Sequence, residues 1–330
     1  MLKRTWRGPV VPPPEVVHAP ADDASTAWWI VLTWNGLDDT RELLEGLAVD
    51  RSGFTVVVVD NGSQDGTQEV VVRDFPWVHF LQTGANLGYA GGNNAGLDYA
   101  FRQGASVLGV LNNDTVVTGE ALRSLGAHVQ AHPGDVVSPD IRYEPDVGES
   151  WFRGGSVDPR SAWPHHLTGE TQARLPRDVP YVSEILTGCC LVTTRQVWKV
   201  VGLFDERFFL IFEDSDWSRR AARHARLVVL PTVSIRHKVS RSFTGEAGTL
   251  ATYYHLRNAL LFAGRHGSGA RATGRMLLRE GIIPTLKEVR DRGEGSARAR
   301  AMRIAAVRDG FLGRWGPAPE GVVRRARARP

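Results

Sequence analysis

The stretch FTVVVVDNGSQDGT, residues 54–67, decides how the chain folds. It contains four consecutive valines, and their lack of alternation with polar residues indicates a strand buried on both faces, as in a parallel sheet covered by helices. Asp60 is the last residue of this strand, and Asn-Gly-Ser follows it as a turn. The stretch therefore predicts a parallel strand that brings a carboxylate to the edge of a sheet.

Strands and helices alternate on both sides of this stretch. AWWIVLT, WVHFLQT and SVLGVLNNDTVV have the composition of strands, whereas LDDTRELLEGLAV and GGNNAGLDYAFRQG favour helices between them. This alternation predicts an open α/β sheet flanked by helices, and such sheets bind ligands outside the carboxyl ends of their strands. From Thr249 onward the sequence predicts helices alone.

Length and composition limit the class of protein. The chain has 330 residues, 42% of them hydrophobic, which suits one large domain or two ordinary ones. No apolar run reaches the roughly 18–20 residues that span a bilayer. Residues 1–26 are rich in proline and lack the apolar core of a signal peptide, so we expect a flexible tail that stays loose until Ala27. Cys189 and Cys190 are adjacent and cannot build a disulfide framework, which favours a reducing, cytoplasmic location.

Charge is unevenly distributed along the chain. The net charge is +4, but residues 265–330 alone hold 16 basic and 6 acidic residues, so the rest of the chain is net acidic. A basic segment is typical of proteins that bind nucleic acid or an anionic membrane surface. It is equally typical of a solvated, arginine-rich face, and both interpretations stay open.

Two further motifs place polar or flexible residues where strands end. NLGYAGGNNAG, residues 86–96, contains Gly88, and a glycine backbone can approach a phosphate or a base closely. VLNNDT supplies Asn112, Asn113 and Asp114, whose hard oxygen atoms suit Mg²⁺ or Mn²⁺ shared with a diphosphate. The glycine spacing matches neither a dinucleotide-binding loop nor a P-loop.

A cluster of acids follows the apolar run of FFLIFEDSDWSRRAARH, residues 208–224. The acids are Glu213, Asp214 and Asp216. The helix dipole favours acids at a helix N-terminus, and this explains one or two of them. It does not explain the aromatic run before them.

The chain resembles the family 2 nucleotide-sugar glycosyltransferases, in their rhamnosyltransferase-like branch. The stretches that carry the resemblance are VLTWNG, VVVVDNGSQDGT, NLGYAGGNNAG, VLNNDTVV, LTGCCLVTTRQVWKVVGLFDERFFLIFEDSDWSRR and IRHKVSRS, in this order. The resemblance implies the GT-A fold, a Rossmann-like open twisted sheet flanked by helices. It divides the chain into a tail (1–26), a GT-A domain (27–245) and a basic helical C-terminal extension (246–330).

The resemblance also implies which residues hold a nucleoside-diphosphate sugar, with dTDP or UDP as the nucleotide. The residues assigned to the nucleotide are Thr33, Asn35, Asp60, Asn86, Gly88, Asn112 and Asn113. Asn112-Asn113-Asp114 stands where the family has Asp-x-Asp, so Asp114 would carry most of the coordination of Mg²⁺ or Mn²⁺. His237 matches a position that supplies an imidazole to the metal in some members. Arg241 is a candidate contact to the phosphates.

Asp214 aligns with the catalytic base of the family. Glu213 would contact the acceptor or orient the base, and Asp216 is expected to bond to Arg219, to Arg220 or to backbone amides of the helix start. The implied reaction is a single displacement with inversion at the anomeric carbon, from the donor to a hydroxyl of a glycan, glycolipid or secondary-metabolite acceptor. Rhamnose from a dTDP donor is the sugar that the branch suggests.

Residues 140–180 predict a long loop rich in proline, glycine and polar residues, and loops of this length are usually functional or mobile. Trp151 and Trp163 are candidates for the acceptor site because aromatic faces stack on sugar rings; packing of the loop is an equal alternative. The basic C-terminal helices would lie on the inner face of the cytoplasmic membrane, or form the interface of a homodimer.

Two other functions fit parts of the pattern. A nucleotidyltransferase needs a glycine-rich, basic loop after the first strand, but that position reads TWNGLDD, which is acidic. A non-catalytic module that binds sugar or nucleic acid would use the basic tail and leave the carboxylates structural. Replacing Asp214 by Asn would leave such a module intact, whereas a transferase, for which no nucleic-acid partner is expected, would lose turnover.

Overall fold

The computed structural model describes residues 12–20, 27–239, 245–267, 269–290 and 294–327. Its strands are β1 Glu15–His18, β2 Ala27–Thr33, β3 Thr55–Asp60, β4 His79–Gln82, β5 Val107–Asn112, β6 Thr115–Val116, β7 Asp135–Tyr143, β8 Ser150–Phe152, β9 Gly155–Val157, β10 Pro164–His166, β11 Tyr181–Val182, β12 Cys190–Thr194 and β13 Arg226–His237. Its α-helices are α1 Leu37–Ala48, α2 Thr67–Asp74, α3 Gly88–Arg102, α4 Gly119–Ala131, α5 Gly169–Ala173, α6 Arg195–Val201, α7 Glu213–Ala221, α8 Gly245–His266, α9 Ala270–Met276, α10 Ile283–Arg290, α11 Glu294–Phe311 and α12 Glu320–Arg327. A π-helical turn, Leu277–Ile282, joins α9 to α10.

One twisted sheet forms the centre of the fold, in the strand order β1-β4-β3-β2-β5-β12-β7-β13-β11. β4, β3, β2 and β5 are parallel to one another, and every residue of β3 is buried. The uninterrupted valines thus predicted a parallel strand covered on both faces, and the structure confirms it. Helices cover the sheet, as the α/β expectation requires.

The N-terminal segment is more ordered than expected. β1 pairs antiparallel with β4, so that Glu15 lies opposite Gln82 and Val16 opposite Leu81. The expectation of a tail that stays loose until Ala27 is therefore wrong for Glu15–His18. The physical reason is the open edge of β4, whose unpaired backbone groups find partners in β1. Residues 1–11 and 21–26 lie outside the described residues.

Residues 140–180 also differ from the predicted loop. β8 pairs with β7, β9 and β10 form a hairpin, and α5 follows. Phe152 in β8 is fully buried and belongs to the main core. Burial of this side chain fixes the segment against the sheet, so that it extends the fold on the side of β7.

The carboxyl ends of the parallel strands meet at one edge of the sheet. Thr33 at the end of β2 pairs with Asp60 at the end of β3, and Leu32 pairs with Asn112 at the end of β5. β13 ends at the same edge, because His237 pairs with Thr115 of β6. This edge is where an open α/β sheet binds its ligands.

The C-terminal helices pack on the segment that leads to α7. α8 and α11 enclose a second core, which includes Tyr253, Leu256 and Met302, and Phe209 and Ile211 pack against it. The helical extension is thus present, and it shares a core with the segment that carries the predicted catalytic acids. Among the described residues, no helix is both long and apolar enough to cross a membrane.

Candidate active site

Asp60 is buried at the end of β3, where two donors fix its carboxylate. Its Oδ1 accepts from the backbone N–H of Ser63 at 2.8 Å, and its Oδ2 accepts from Nε2 of Gln82 at 2.9 Å. Beside it, Oγ1 of Thr33 accepts from Oγ1 of Thr40 at 2.9 Å. The strand pairing makes these predicted nucleotide residues neighbours at the edge of the sheet.

Asn35 and Asn113 border the same position. Asn35 has a positive φ of 49°, and its Oδ1 accepts from the backbone N–H of Gln64 at 2.8 Å, which ties the β2–α1 turn to the β3–α2 turn. Nδ2 of Asn113 donates to Oγ1 of Thr40 at 3.1 Å and to the carbonyl of Gly36 at 3.3 Å. Both asparagines therefore shape the floor between the strand ends.

The loop from Asn86 to Gly88 is held by Asn61, a residue that sequence reasoning placed only in a turn. Nδ2 of Asn61 donates to Oδ1 of Asn86 and to the carbonyl of Gly88, both at 3.1 Å. Its Oδ1 accepts from the backbone N–H of Leu87 at 2.9 Å. An asparagine directly after a strand that ends in Asp was the available sequence signal.

Gly88 has a φ of +73°, a conformation that glycine adopts at little cost. A Cβ at this position would lie 2.3 Å from the carbonyl oxygen of Phe209. The backbone N–H of Ala90 also donates to that oxygen, at 3.3 Å. The nucleotide loop therefore touches the segment before α7 directly.

Asp114 and His237 form the candidate metal centre. Both are buried, and Nε2 of His237 lies 3.1 Å from Oδ1 of Asp114 because β6 pairs with β13. Burial opposes ionisation of Asp114, but the hydrogen bond and charge of His237 outweigh it and lower the pKa of the carboxyl. Asn112 adds a hydrogen bond to the carboxylate. An ionised oxygen and an imidazole nitrogen facing each other are a donor set that suits Mn²⁺ or Mg²⁺.

A second group of metal-ligand type lies at the opposite edge of the sheet. Ligand atoms of His128, His132 and Asp135 lie within 4.8 Å of one another, where β7 begins. Asp135 is already engaged by Arg226, whose Nε and Nη2 donate at 2.8 and 2.9 Å. This group is remote from the strand ends that carry the predicted nucleotide residues.

Asp214 lies in the first turn of α7 and is aimed by backbone donors. Its Oδ2 accepts from the N–H of Gly188 at 3.0 Å, and its Oδ1 accepts from the N–H of Ser215 at 2.6 Å. Burial raises the pKa of the Cys189 thiol well above its usual range, and the charges of Asp114 and Asp214 both add to this effect. The metal pair and the predicted base therefore flank the same residue.

Glu213 is fully buried beside Asp214, and its Oε2 has no hydrogen-bond partner in the part of the chain that the structure describes. Burial raises the pKa of Glu213 well above its usual range, and the charges of Asp214 and Asp216 add to this effect. Burial raises the pKa of Tyr89 well above its usual range, and the charges of Glu213 and Asp214 add to this effect. The hydroxyl of Tyr89 donates to the carbonyl of Gly188 at 2.5 Å. Tyr89, next to the Asn86–Gly88 loop, thus reaches Gly188, whose N–H donates to Asp214, and sequence reasoning missed this link.

Asp216 points away from the cleft into an ion-pair cluster. Its Oδ2 accepts from Nε of Arg220 at 2.9 Å, as predicted. Its Oδ1 accepts from Nη1 of Arg265 at 2.6 Å and lies 2.8 Å from Nε2 of His266. The last two residues belong to α8, so the C-terminal helices are tied to α7.

The segment before α7 has an unusual backbone. Phe209, Ile211 and Phe212 have φ values of 64°, 72° and 78°, a region that bulky residues rarely adopt. Asn258 of α8 holds this conformation, because its Nδ2 donates to the carbonyls of Phe208, Leu210 and Ile211 at 2.7–2.9 Å. A single amide from a helix some 50 residues downstream therefore sets the course of the chain into the catalytic acids.

Arg257, the neighbour of Asn258, is fully buried and supports the same segment. Its Nη1 donates to the carbonyl of Gly316 at 2.7 Å, and its Nη2 donates to the carbonyl of Phe208 at 3.2 Å. Its guanidinium also lies 5.0 Å from the ring centroid of Tyr254. The stretch that holds this pair, YYHLRNA, lies in the region where the sequence predicts helices.

The two predicted acceptor residues lie in different places. The ring of Trp151 packs edge-on against His237 at 4.5 Å and against His166 at 4.8 Å, so it borders the candidate metal centre. Burial lowers the pKa of His166, and the charge of Asp214 opposes this shift. Trp163 instead stacks on His255 of α8, with ring centroids 5.1 Å apart. Arg241, the predicted phosphate contact, lies outside the described residues.

Comparison with known proteins agrees with this geometry. The model of glycosyl transferase family 2 matches residues 28–199. An N-acetylglucosaminyl-diphospho-decaprenol L-rhamnosyltransferase of Mycobacterium tuberculosis (strain ATCC 25618 / H37Rv) is 28% identical over 270 residues, which cover 71% of this chain and 82% of the relative. The dTDP-rhamnosyl transferase RfbF of Shigella flexneri is 23% identical over 284 residues, with 81% and 84% covered.

Solved structures show the same fold at low sequence identity. GalNAc-T7 with UDP, GalNAc and Mn²⁺ superposes with a TM-score of 0.53 at 15% identity, covering 77% of this chain and 55% of that one. The mannosyltransferase PcManGT of Pyrobaculum calidifontis, with GDP-Man and Mn²⁺, gives 0.51 at 17% identity, covering 94% and 81%. Because the family model covers more than half of the 330 residues, the protein belongs to glycosyl transferase family 2 and is a glycosyltransferase with the GT-A fold.

Proposed function

We propose that the protein transfers rhamnose from a dTDP donor, with inversion, to a hydroxyl group of a lipid-linked or glycan acceptor on the cytoplasmic side of the membrane. The observation that carries this proposal is the convergence of three carboxylates near one edge of the sheet. Asp60 ends β3 and Asp114 follows β5. Asp214 of α7 accepts from the N–H of Gly188, and the carbonyl of the next residue, Cys189, accepts from the N–H of Asn112. The three suit three tasks: recognition of a nucleoside, coordination of a cation, and removal of a proton. The choice of rhamnose and dTDP draws on the two rhamnosyltransferase relatives.

In this mechanism Asp214 removes the proton of the acceptor hydroxyl. The N–H groups of Gly188 and Ser215 fix its carboxylate, so that it need not reorganise as the reaction proceeds. The acceptor oxygen forms a bond to the anomeric carbon while the bond from that carbon to the diphosphate oxygen breaks on the opposite face. General-base help of this kind contributes about 10²–10⁴-fold to the rate.

Asp114 and His237 would hold a divalent cation, whose charge would neutralise the diphosphate leaving group. The buried pair fits this role because it offers one carboxylate oxygen and one imidazole nitrogen 3.1 Å apart. Nδ1 of His237 is buried and has no hydrogen-bond partner among the described residues. Among the described residues, the ring of His237 therefore makes its hydrogen bond with Asp114 and none through Nδ1.

The donor nucleoside would lie over Thr33, Asn35 and Asp60. Strand pairing and the Asn35–Gln64 hydrogen bond already fix these residues before any ligand binds. Asn113 and the Asn86–Gly88 loop would border the ribose and the phosphates. The contact of Arg241 to the phosphates stays a prediction.

Trp151 is the aromatic residue best placed for the acceptor, because its ring borders His237 of the candidate metal centre as well as His166. Trp163 would guide the acceptor from the side of the C-terminal helices. Membrane contact through those helices and formation of a homodimer belong to the proposal as alternatives for the same surface.

The test of the base compares Asp214→Asn with the wild-type enzyme in a transfer assay and in a donor-binding titration. We expect turnover to fall about 10²–10⁴-fold while the Kd for the nucleotide changes little. Asp98→Asn is the matched control, because Asp98 lies on the exposed face of α3, paired with Arg102. Full turnover in Asp214→Asn would refute the assignment of the base and return the carboxylates to a structural role.

The test of the metal uses thermal unfolding with Mn²⁺ and dTDP, UDP, GDP or CDP. A ligand at 100 times its Kd adds roughly 2.7 kcal/mol to the free energy of unfolding. We expect one diphosphate to raise Tm, and a chelator or Asp114→Ala to abolish the rise. His128→Ala is the control, since His128 belongs to the group at the opposite edge. A rise that survives in Asp114→Ala but disappears in His128→Ala would move the metal to that group.

A further inference from the structure

Most basic side chains of the C-terminal helices that the structure describes bond to other residues of the chain. Nη1 of Arg303 donates to the carbonyl of Glu280 at 2.8 Å, and Nη1 of Arg300 donates to the carbonyl of Glu288 at 2.5 Å. Arg265 pairs with Asp216. The number of basic residues in 265–330 is therefore larger than the number of positive charges that face solvent.

Residues 270–290 display an apolar stripe to solvent. Leu278 is 49% exposed, Ile282 46%, Leu286 64% and Val289 59%. The spacings of four, four and three residues place them on one side of the π-helical turn and α10. On the other side, Gly281 is buried and lies close to Leu256 of α8. The four side chains form an apolar face, which we call the 278–289 face.

Exposed basic side chains accompany the 278–289 face. The exposed basic residues of the segment are Arg271, Arg275, Arg279, Lys287 and Arg290. Its two carboxylates, Glu280 and Glu288, are partly buried and pair with Arg279 and Arg303. The solvent-facing charge of this segment is therefore positive. A helix with an apolar stripe and a basic border is the pattern that binds in the plane of a membrane interface.

A proline contributes to the shape of this face. Pro284 has no N–H, so the carbonyl of Glu280 lacks its α-helical donor, and Nη1 of Arg303 takes that place at 2.8 Å. The same guanidinium bonds through Nε to the carboxylate of Glu288 at 3.2 Å. α11 thereby supports the segment from behind at two points, and the apolar side chains are presented on a braced surface.

The 278–289 face lies beside the proposed acceptor loop. The guanidinium of Arg279 sits 4.8 Å from the ring centroid of Trp163. The ring of Trp163 contacts Phe212 edge-on at 5.7 Å, and Phe212 directly precedes Glu213 and Asp214. Two aromatic contacts thus connect the basic border of the face to the entrance of the catalytic helix.

We propose that the 278–289 face binds an anionic membrane surface, with its apolar stripe in the headgroup region and its basic border on the lipid phosphates. The choice of a membrane over a second copy of the chain rests on charge, because two such faces would bring their basic borders together. The proposal that this docking presents a lipid-linked acceptor to Asp214 rests on the proposed function; the docking itself does not.

The test is co-sedimentation of the full-length protein with vesicles of phosphatidylcholine alone or with 30% phosphatidylglycerol, about 30% being a typical anionic fraction. We expect binding to the anionic vesicles only, weakening as salt rises. The triple variant Leu278→Ser, Ile282→Ser, Leu286→Ser should bind at least about tenfold less. The matched control replaces Val49, Val182 and Val200, which are also exposed, by Ser.

A second variant tests the charge separately. Arg271→Gln with Lys287→Gln should weaken binding to anionic vesicles by roughly 10- to 30-fold. Arg73→Gln with Arg102→Gln removes two exposed arginines elsewhere, and this control should bind like the wild type. Each variant is first checked for an unchanged Tm, so that loss of binding is not loss of folding.

Two outcomes would overturn the proposal. One is that the wild type ignores anionic vesicles, or binds them equally well in both variants. The other is that the triple variant turns a dimer into a monomer without any vesicle binding, which would assign the face to a second copy. Failure of the transferase proposal is distinguishable, because vesicle binding is measured without donor and should be the same in Asp214→Asn.

Discussion

The donor side and the base side of the cleft are held together over different distances along the chain. On the donor side, the hydrogen-bond partners of Asn61 lie 22 to 27 residues away, within the next strand and its turn. On the base side, Asn258 reaches carbonyls 47 to 50 residues upstream, from a helix beyond the residues that the family model matches. Turns after strands encode the first side, whereas packing of a separate helix encodes the second.

Gly88 is where the two sides touch, so its substitution should have the largest effect. In Gly88→Ala the added Cβ would lie 2.3 Å from the carbonyl oxygen of Phe209, in a backbone with φ +73°. We expect an added cost of about 1–3 kcal/mol from crowding, beyond about 1–2 kcal/mol for the left-handed conformation. Turnover and donor affinity should both fall, which enzyme kinetics and a donor titration would show.

Gly84→Ala is the control for this prediction. Gly84 has the same φ of +73°, but a Cβ there would meet nothing within 4 Å. The Gly84→Ala variant should therefore lose only the about 1–2 kcal/mol that the left-handed backbone conformation costs. Equal losses in both variants would mean that the contact between Gly88 and Phe209 has no functional weight.

Substitution of Asn258 and of Asn61 tests the base side and the donor side of the cleft separately. Asn258→Ala removes the donor to the carbonyls of Leu210 and Ile211, and a buried carbonyl left without a partner costs about 1–3 kcal/mol. We expect a lower Tm and a kcat reduced at least tenfold, about 1.4 kcal/mol in the barrier, with little change in the donor Kd. Stopped-assay kinetics and calorimetric titration measure the two quantities.

Asn61→Ala is the counterpart on the donor side. It frees the Asn86–Gly88 loop while the backbone donors to Asp214 remain, so we expect the donor Kd to rise and kcat at saturating donor to change less. If both variants lower kcat and raise Kd alike, the cleft is one mechanical unit and the comparison fails.

Glu213 provides a smaller effect that depends on pH. Burial raises its pKa in the folded protein above the ordinary 4.5. Between 4.5 and the raised pKa, the folded state holds a proton that the unfolded state has released, so the free energy of unfolding falls as pH rises. We expect Glu213→Gln to have a higher Tm than the wild type at pH 7, with the difference closing toward pH 4.5.

Calorimetric scans across this pH range, with Glu45→Gln as the exposed control, would measure the Glu213 effect. A wild-type Tm that exceeds that of Glu213→Gln at pH 7 would mean that the carboxylate finds a partner.

The same contrast explains what could be predicted from the sequence. The valine run and the polar residues after each strand are local patterns, and they correctly predicted the parallel sheet with Asp60 and Asn112 at the ends of its strands. The pairing of Asp114 with His237 followed from the family resemblance, and the structure brings them to 3.1 Å. The donor side could therefore be predicted from local residue patterns and from the order of the family motifs.

The rest depended on tertiary packing that no local pattern reveals. Nothing in the helical motif YYHLRNA shows that its Arg257 and Asn258 are fully buried against carbonyls of the 208–212 segment. Trp163 was predicted by residue type alone, and the structure stacks it on His255 of α8. β1 was missed because its pairing depends on an open edge of β4, 62 to 67 residues downstream, and not on its own pattern.

The amide of Asn258 also sets a rule for building chimeras from this family. Exchange of the helices after residue 245 for those of a relative would also replace Asn258, the donor that holds the backbone of residues 208–212. A graft would have to carry that segment and its helix together, as one inherited piece. The two stretches should therefore change together within the family, although they lie 47 to 50 residues apart in the chain.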